Sequence, residues 1–340
     1  MKKIFGFGII IFIVLLSSCN LPSTPPASRP TSAAIKETSQ PATPPTATPS
    51  PTAALNQVIL VAPANTDAQL LGDAQKALTD LANASGLKLL TVQTLKPDEV
   101  TPGTKMVFYT SIPDNLPQVV AAAPAVQFVA VSPVDITPVP NFNVIRLRPE
   151  KRTFVAGMIT SLVTPDWRVL ALLPTQDPPA SALEDAFRNG AQYFCGLCLP
   201  ALLPAVRFPL IRHTDPANYQ AALDDANKSI IYGIYLSPEV SSPDIINKLA
   251  SQKFILVGSV SPPAEVHSRW AVTVREDVVT PMRTLWPDML AGKGSKIVNS
   301  SIALTDINPD LFSLGKKDLA TQAIQELDKD QLNPLTPVLK

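Results

Sequence analysis

Apolar residues follow two rhythms along this chain, short unbroken runs and longer stretches with helical spacing, and from residue 57 onward the two alternate. Val58 to Ala62 is a run of strand length closed by Pro63. Thr66 or Asp67 then caps a helix that turns Leu70, Leu71, Ala74, Leu78, Leu81 and Ala82 to one face. Leu87 to Val92 and Met106 to Tyr109 read as strands, Pro117 to Ala123 as a short helix, and Val126 to Val131 and Phe142 to Leu147 as further strands. From Pro149 to Leu173 the rhythms join. Phe154, Ala156, Gly157, Ile159, Thr160 and Leu162 put small and apolar side chains on most faces of a helix, Pro165-Asp166 stops it, and an apolar strand follows. Helix then buried strand is the repeating unit of a parallel α/β sheet.

The second half repeats the plan. Val169 to Leu173 predicts a strand, Ser181 to Tyr193 a helix, Ala205 to Ile211 an extended segment and Pro216 to Asn227 a helix. Ser229 to Leu236 reads as a buried strand, Ser242 to Ser251 as a helix, and Phe254 to Val257 and Trp270 to Val274 as strands. Glu276 to Ala291 is a helix with Val278, Val279, Met282, Leu285 and Met289 inward, stopped at Gly292. Lys296 to Leu304 reads as one further strand, and Leu319 to Leu327 as an exposed amphipathic helix. The pattern predicts an α/β protein of two doubly wound parallel-sheet units.

The N-terminal residues belong to neither rhythm. Lys2 and Lys3 precede an apolar stretch, Ile4 to Leu16, too short for a membrane span of about 20 residues. Leu16-Ser17-Ser18-Cys19 matches the bacterial lipobox, so residues 1–19 are expected to be a lipoprotein signal peptide, with Cys19 becoming the lipidated N-terminus; an ordinary secretory signal or an uncleaved anchor are the alternatives. Residues 20–56 are Pro, Thr, Ser and Ala with only Arg29, Lys36 and Glu37 charged, the composition of a disordered, semi-stiff linker. The expected location is the extracytoplasmic face of the cell membrane, with the body held there by its lipid.

Lys plus Arg and Asp plus Glu both number 28, and no basic stripe appears, which argues against nucleic-acid binding. The chain lacks G-x-G-x-x-G and G-x-x-x-x-G-K-[ST] loops, so nucleotide chemistry has no motif, and no cofactor is expected. Two histidines, His213 and His267, and no G-x-S-x-G or H-E-x-x-H give catalysis little support, so the expectation is a non-enzyme. The acidic pairs Glu184-Asp185 and Asp224-Asp225 read as solvated helix faces. Besides Cys19 the chain has Cys195 and Cys198, read as a local disulfide outside the cytoplasm; a redox-active C-x-x-C or a zinc site with the two histidines are the alternatives.

Several stretches resemble the basic membrane protein (BMP) family of substrate-binding lipoproteins. Thr153-Phe154-Val155-Ala156-Gly157 and Leu162-Val163-Thr164 fit its Ala-Ser-Tyr-Leu-Ala-Gly helix, which ends in Thr and runs into a strand. Ala186 to Ala191 is similar to its Gly-Phe-x-x-Gly helix. Ile230 to Leu236 followed by Phe254 to Gly258 resembles its succession of pocket strand, helix and Ile-Gly-Val-Asp, and Val278 to Gly292 its late helix ending in a Gly-Lys turn. The resemblance implies a class I periplasmic binding protein-like fold, with lobe 1 from 57–148 plus 268–340 and lobe 2 from 149–267. It also implies a nucleoside-like ligand closed between the lobes, delivery to an ABC permease and a monomeric state. The chain departs from the family where Gly258-Ser259-Val260-Ser261 lacks the carboxylate of Gly-Val-Asp-x-Asp. A nucleoside site needs acids for the sugar and an aromatic face for the base. Asp67 is the candidate acid, and Phe154, Tyr235 and Trp270 are the candidate faces.

Open α/β sheets bind ligands at the carboxyl ends of their strands. That rule names Asn65 and Asp67, Ser111, Ser132, Gln176, Ser237 and Ser259 as ligand-binding candidates, beside Tyr235. The expected role is capture of a small solute by hinge closure. The alternative is a binding fold without a ligand, acting as an envelope interaction or sensor protein.

Overall fold

The alternation of apolar runs and helices becomes two parallel sheets. The structure, a computed structural model, describes residues 56–337 except 177–179, 195–200, 203–205 and 253. The signal segment, the linker, Cys19, Cys195 and Cys198 lie outside the described residues.

The first lobe begins β1 (Gln57–Val61), α1 (Ala68–Ala84), β2 (Lys88–Val92), β3 (Thr104–Tyr109), α2 (Leu116–Ala122), β4 (Gln127–Ser132) and β5 (Phe142–Arg146). The chain then crosses into α3 (Pro149–Val163), β6 (Val169–Leu173), α4 (Ala180–Phe194), β7 (Ala201–Leu202), β8 (Val206–Arg207), β9 (Leu210–His213), α5 (Gln220–Lys228), β10 (Gly233–Leu236), α6 (Pro243–Ser251), β11 (Ile255–Gly258) and β12 (Trp270–Asp277). It returns for α7 (Val279–Leu290) and β13 (Ile297–Asn299), and ends in the second lobe with β14 (Ser301–Thr305) and α8 (Leu314–Asp328). The first sheet has the order β13-β5-β4-β3-β1-β2 and is parallel throughout. The second has the order β14-β12-β11-β10-β6-β9, with only β14 antiparallel. β7 and β8 form a separate antiparallel pair.

Parallel strands covered on both faces must be apolar on both. β6, Val-Leu-Ala-Leu-Leu, is buried at every position. In the first lobe, Leu60, Met106 and Phe108 meet Met282, Leu285 and Trp286 of α7 on one face, while Ile59, Val107, Tyr109 and Phe128 meet Val119 of α2 on the other. In the second lobe, α3, α4 and α8 cover one face and α5 and α6 the other.

The chain passes between lobes three times, after Arg146, after Asp277 and at Ser300. The first and third passages touch: Ser300 N donates to Arg146 O at 2.8 Å. This connectivity redraws the expected lobe boundary. Residues 268–340 do not all return to the first lobe; β12, β14 and α8 complete the second, and only α7 and β13 go back. The stretch expected as one strand, Lys296 to Leu304, is two strands in different sheets, because the chain changes sheet at the buried Ser300. Glu276 and Asp277 end β12 instead of opening α7. α8 is longer than its amphipathic pattern suggested, and Ala320, Ala323, Ile324 and Leu327 are buried in the second lobe. The strand expected from Ser229 starts only at Gly233, since Ser229 caps α5 and Ile230 has a positive φ of 55°.

Candidate functional site

The carboxyl ends of both sheets open on a shared cleft of about 410 Å³. The first lobe contributes Asp67 and Leu70 from the start of α1, Asp73 one turn on, Pro133 after β4 and Leu147 after β5. The second contributes Arg152 on α3, Pro238 and Glu239 after β10, Ser259 and Val260 after β11, and Arg275 and Glu276 at the end of β12. The walls are prolines and branched aliphatics, and the polar groups are almost all charged.

Arg152 is the centre of that charge. It sits on a helix whose residues 151–163 are all buried, with 5% of its own surface exposed. Its Nη1 donates to Glu276 Oε1 at 2.9 Å and Oε2 at 3.0 Å, and Nη2 lies 3.8 Å from Glu239 Oε1. Nε and Nη2 make no hydrogen bond. Burial works against the charge, but Glu276, Tyr235 and Glu239 more than offset it, so the guanidinium pKa stands above the ordinary arginine value. A buried cation with an unbonded Nε–Nη2 edge is a preorganised pair of parallel donors, the geometry that matches two neighbouring oxygens.

Acceptors stand near it. Glu239, 3.8 Å from Arg152, has a side chain that is 46% exposed. Asp67 uses Oδ1 to cap Leu70 N at 2.8 Å, which leaves Oδ2 for a ligand. The remaining charges join the lobes. Arg275 Nη2 pairs with Asp73 Oδ2 across the cleft. Ser261 Oγ lies 2.9 Å from Asp306 and 3.4 Å from Gln69 of the first lobe.

Of the residues named from sequence, the cleft gathers Asp67 and Ser259. Tyr235 stands behind Ser259, fully buried, with its hydroxyl 3.0 Å from Ser259 Oγ and its ring stacked on Phe187; burial raises its pKa. Ser132 is buried in a turn of its own, accepting from Val134 N and donating to Val134 O. Asn65 and Gln176 are exposed loop residues that line no part of the cleft. Ser237 is buried and also outside the lining. Ser111 lies on a different cavity. Phe154 and Trp270 are core, packed on Tyr193 and bonded to Thr273 respectively. Among the described residues no aromatic side chain lines the cleft. Glu184 is held by Arg188 and His213, not free on a helix surface, and Asp225 pairs with Arg212.

Sequence reading missed Arg152, Glu239, Arg275, Asp73 and Glu276. The signal for Arg152 was present: Lys151-Arg152 interrupts a helix that is otherwise apolar on most faces, and a charge there needs a buried reason. Lys151 has a structural one, donating to Leu327 O at 2.5 Å and Asp330 at 2.9 Å at the end of α8.

No family model matches the sequence, and no curated protein does. Solved structures are similar in fold. A solute-binding protein of an ABC transporter system from Conexibacter woesei superposes with a TM-score of 0.62 at 16% identity, covering 82% of this chain and 98% of that one. A transcriptional activator of the comK gene from Bacillus halodurans gives 0.61 at 13% identity, covering 82% and 99%. A solute-binding protein of an ABC transporter system from Aeropyrum pernix gives 0.54 at 10% identity, covering 82% and 87%. The fold is the class I periplasmic binding protein-like one, two parallel α/β lobes linked by three crossings.

Proposed function

We propose that this chain is an extracytoplasmic solute-binding lipoprotein that closes its two lobes on a small polar molecule and presents it to an ABC importer. The observation that carries the reading is the unbonded Nε–Nη2 edge of Arg152, held by Glu276 on the wall of the interlobe cleft. The solute-binding proteins from Conexibacter woesei and Aeropyrum pernix support it through the fold they share. The lipobox at Cys19 and the linker that follows support anchoring by lipid.

The cleft chemistry narrows the solute. Arg152 offers paired donors, while Glu239 and Asp67 offer acceptors, so the ligand carries neighbouring oxygens together with hydrogens to donate. A sugar or the sugar part of a nucleoside meets both needs, in keeping with the BMP resemblance. A base would rest on Pro133, Leu147 and Pro238, not on an aromatic ring.

The test is thermal unfolding of the full chain in detergent against a panel of nucleosides, sugars and amino acids. A ligand at a hundredfold excess over its dissociation constant adds about 2.7 kcal/mol and raises Tm by a few degrees. Arg152→Lys keeps a cation for Glu276 but lacks the fork, so it should abolish the shift while folding normally. A flat panel, or an Arg152→Lys response equal to the parent's, sinks the reading.

A second reading has an observation of its own. Asp73–Arg275 and the Gln69–Ser261 approach already join the lobes by side chains alone, which suits a closed fold that serves as an envelope interaction or sensor protein. The Bacillus halodurans relative in fold is described as a transcriptional activator, not a transport protein. A flat ligand panel together with a closed scattering profile would favour it.

A further inference from the structure

The first lobe holds a second cavity, of about 380 Å³, that shares no lining residue with the interlobe cleft. It lies at the carboxyl ends of β1, β2 and β3, beneath the loops that follow them. The loop after β1 divides the two spaces, sending Pro63 and Ala64 to this one and Asp67 to the cleft. The place follows from topology. The chain leaves β1 toward β2 on one side and places β3 on the other, so the loops diverge and leave a crevice.

Val61, Pro63, Leu95 and Pro113 form its apolar part, the exposed Gln93 and Thr94 stand at its edge, and one polar group is buried in the wall. Tyr109 is part of the wall, is 2% exposed, and its hydroxyl has no hydrogen-bond partner. Buried phenol hydroxyls normally find a partner, because leaving one unmade forfeits the hydrogen bonds that water gave it. The neighbouring polar side chain is already committed: Asn115 Nδ2 donates to Leu95 O at 2.9 Å. The rim carries Ser111 and Asp114, both exposed. Burial pushes the Tyr109 hydroxyl up to about 12, so at neutral pH it stays a phenol able to donate or accept. An apolar part, a polar edge and one buried hydrogen-bonding group held in place make the usual composition of a specific site for a small organic molecule.

We infer that this cavity is a second ligand site, built wholly by the first lobe, for a compact, uncharged ring compound whose hydroxyl or carbonyl bonds to Tyr109. The site is independent of what the cleft binds. Aromatic and alicyclic alcohols and ketones are the class it fits, and the exposed Asp114 at the rim disfavours anions.

The test titrates the full chain in detergent with 4-fluorophenol, followed by the fluorine signal against the same micelles without protein. Saturable binding is expected. Tyr109→Phe keeps the ring and removes the hydroxyl, and should weaken binding about tenfold. Ala64→Trp adds bulk at the exposed rim and should abolish it, whereas Arg152→Lys in the cleft should leave it unchanged. Binding that is absent, or equal in the parent, Tyr109→Phe and Ala64→Trp, overturns the inference. Binding lost in Arg152→Lys alone would place the probe in the cleft and overturn it as well.

Discussion

At the scale of single residues, the cleft is governed by an ion pair almost out of water. Arg152 is 5% exposed and the Glu276 side chain 10%. Such a pair contributes little net stability, because desolvation offsets attraction, but removing one partner strands the other. Arg152→Met should therefore lower stability by about 3 kcal/mol, measured by urea unfolding. Adding Glu276→Leu should restore much of that loss; a double variant no better than the single would refute the pairing. The same residue shows where sequence reading stopped. Of the residues named at strand ends, Asp67 and Ser259 line the cleft. Arg152 and Glu276 lie on a helix and inside a strand, where charge reads as surface until packing shows that it faces inward.

At the scale of elements, α3 and α4 cross closely enough that side chains are excluded. A Cβ on Gly190 would stand 1.9 Å from Phe154 O, and one on Gly157 would stand 2.4 Å from Phe187 O. Backbone atoms cannot yield as a flexible side chain does, so Gly190→Ala must push the helices apart. The expected cost is about 1–3 kcal/mol in urea unfolding, with a smaller solute response because α3 carries Arg152. A variant as stable as the parent would show that the crossing relaxes freely. Both glycines fall in stretches that resemble the BMP pattern, but the resemblance carried no distances. Helices and central strands were legible from their apolar rhythm. Lys296 to Leu304 was not, since one continuous run was shared between two sheets.

At the scale of the whole molecule, the proposed closure of the lobes would draw on side-chain pairs across the cleft, Asp73–Arg275 among them. The Asp73–Arg275 side chains are 28% and 18% exposed, which leaves the pair partly screened. At about 1 kcal/mol its loss shifts an open–closed equilibrium roughly fivefold. Asp73→Asn should enlarge the radius of gyration of the solute-free protein in small-angle scattering and weaken solute binding by a similar factor. Unchanged scattering together with unchanged affinity would remove the latch.

Local information in the chain was enough for the α/β class, the two-lobed plan and the alternation of elements. Period-2 and period-3.6 patterns are properties of neighbours in sequence, and burial on both faces of a strand needs only an apolar run. The path between lobes was decided by tertiary structure: β12, β14 and α8 joined the second lobe because their apolar faces complete its sheet and the cover over α3. The cleft's chemistry was decided there too. Arg152 and Glu276 are 124 positions apart, and Asp73 and Arg275 are 202. Only the folded chain makes each of them the other's counter-charge.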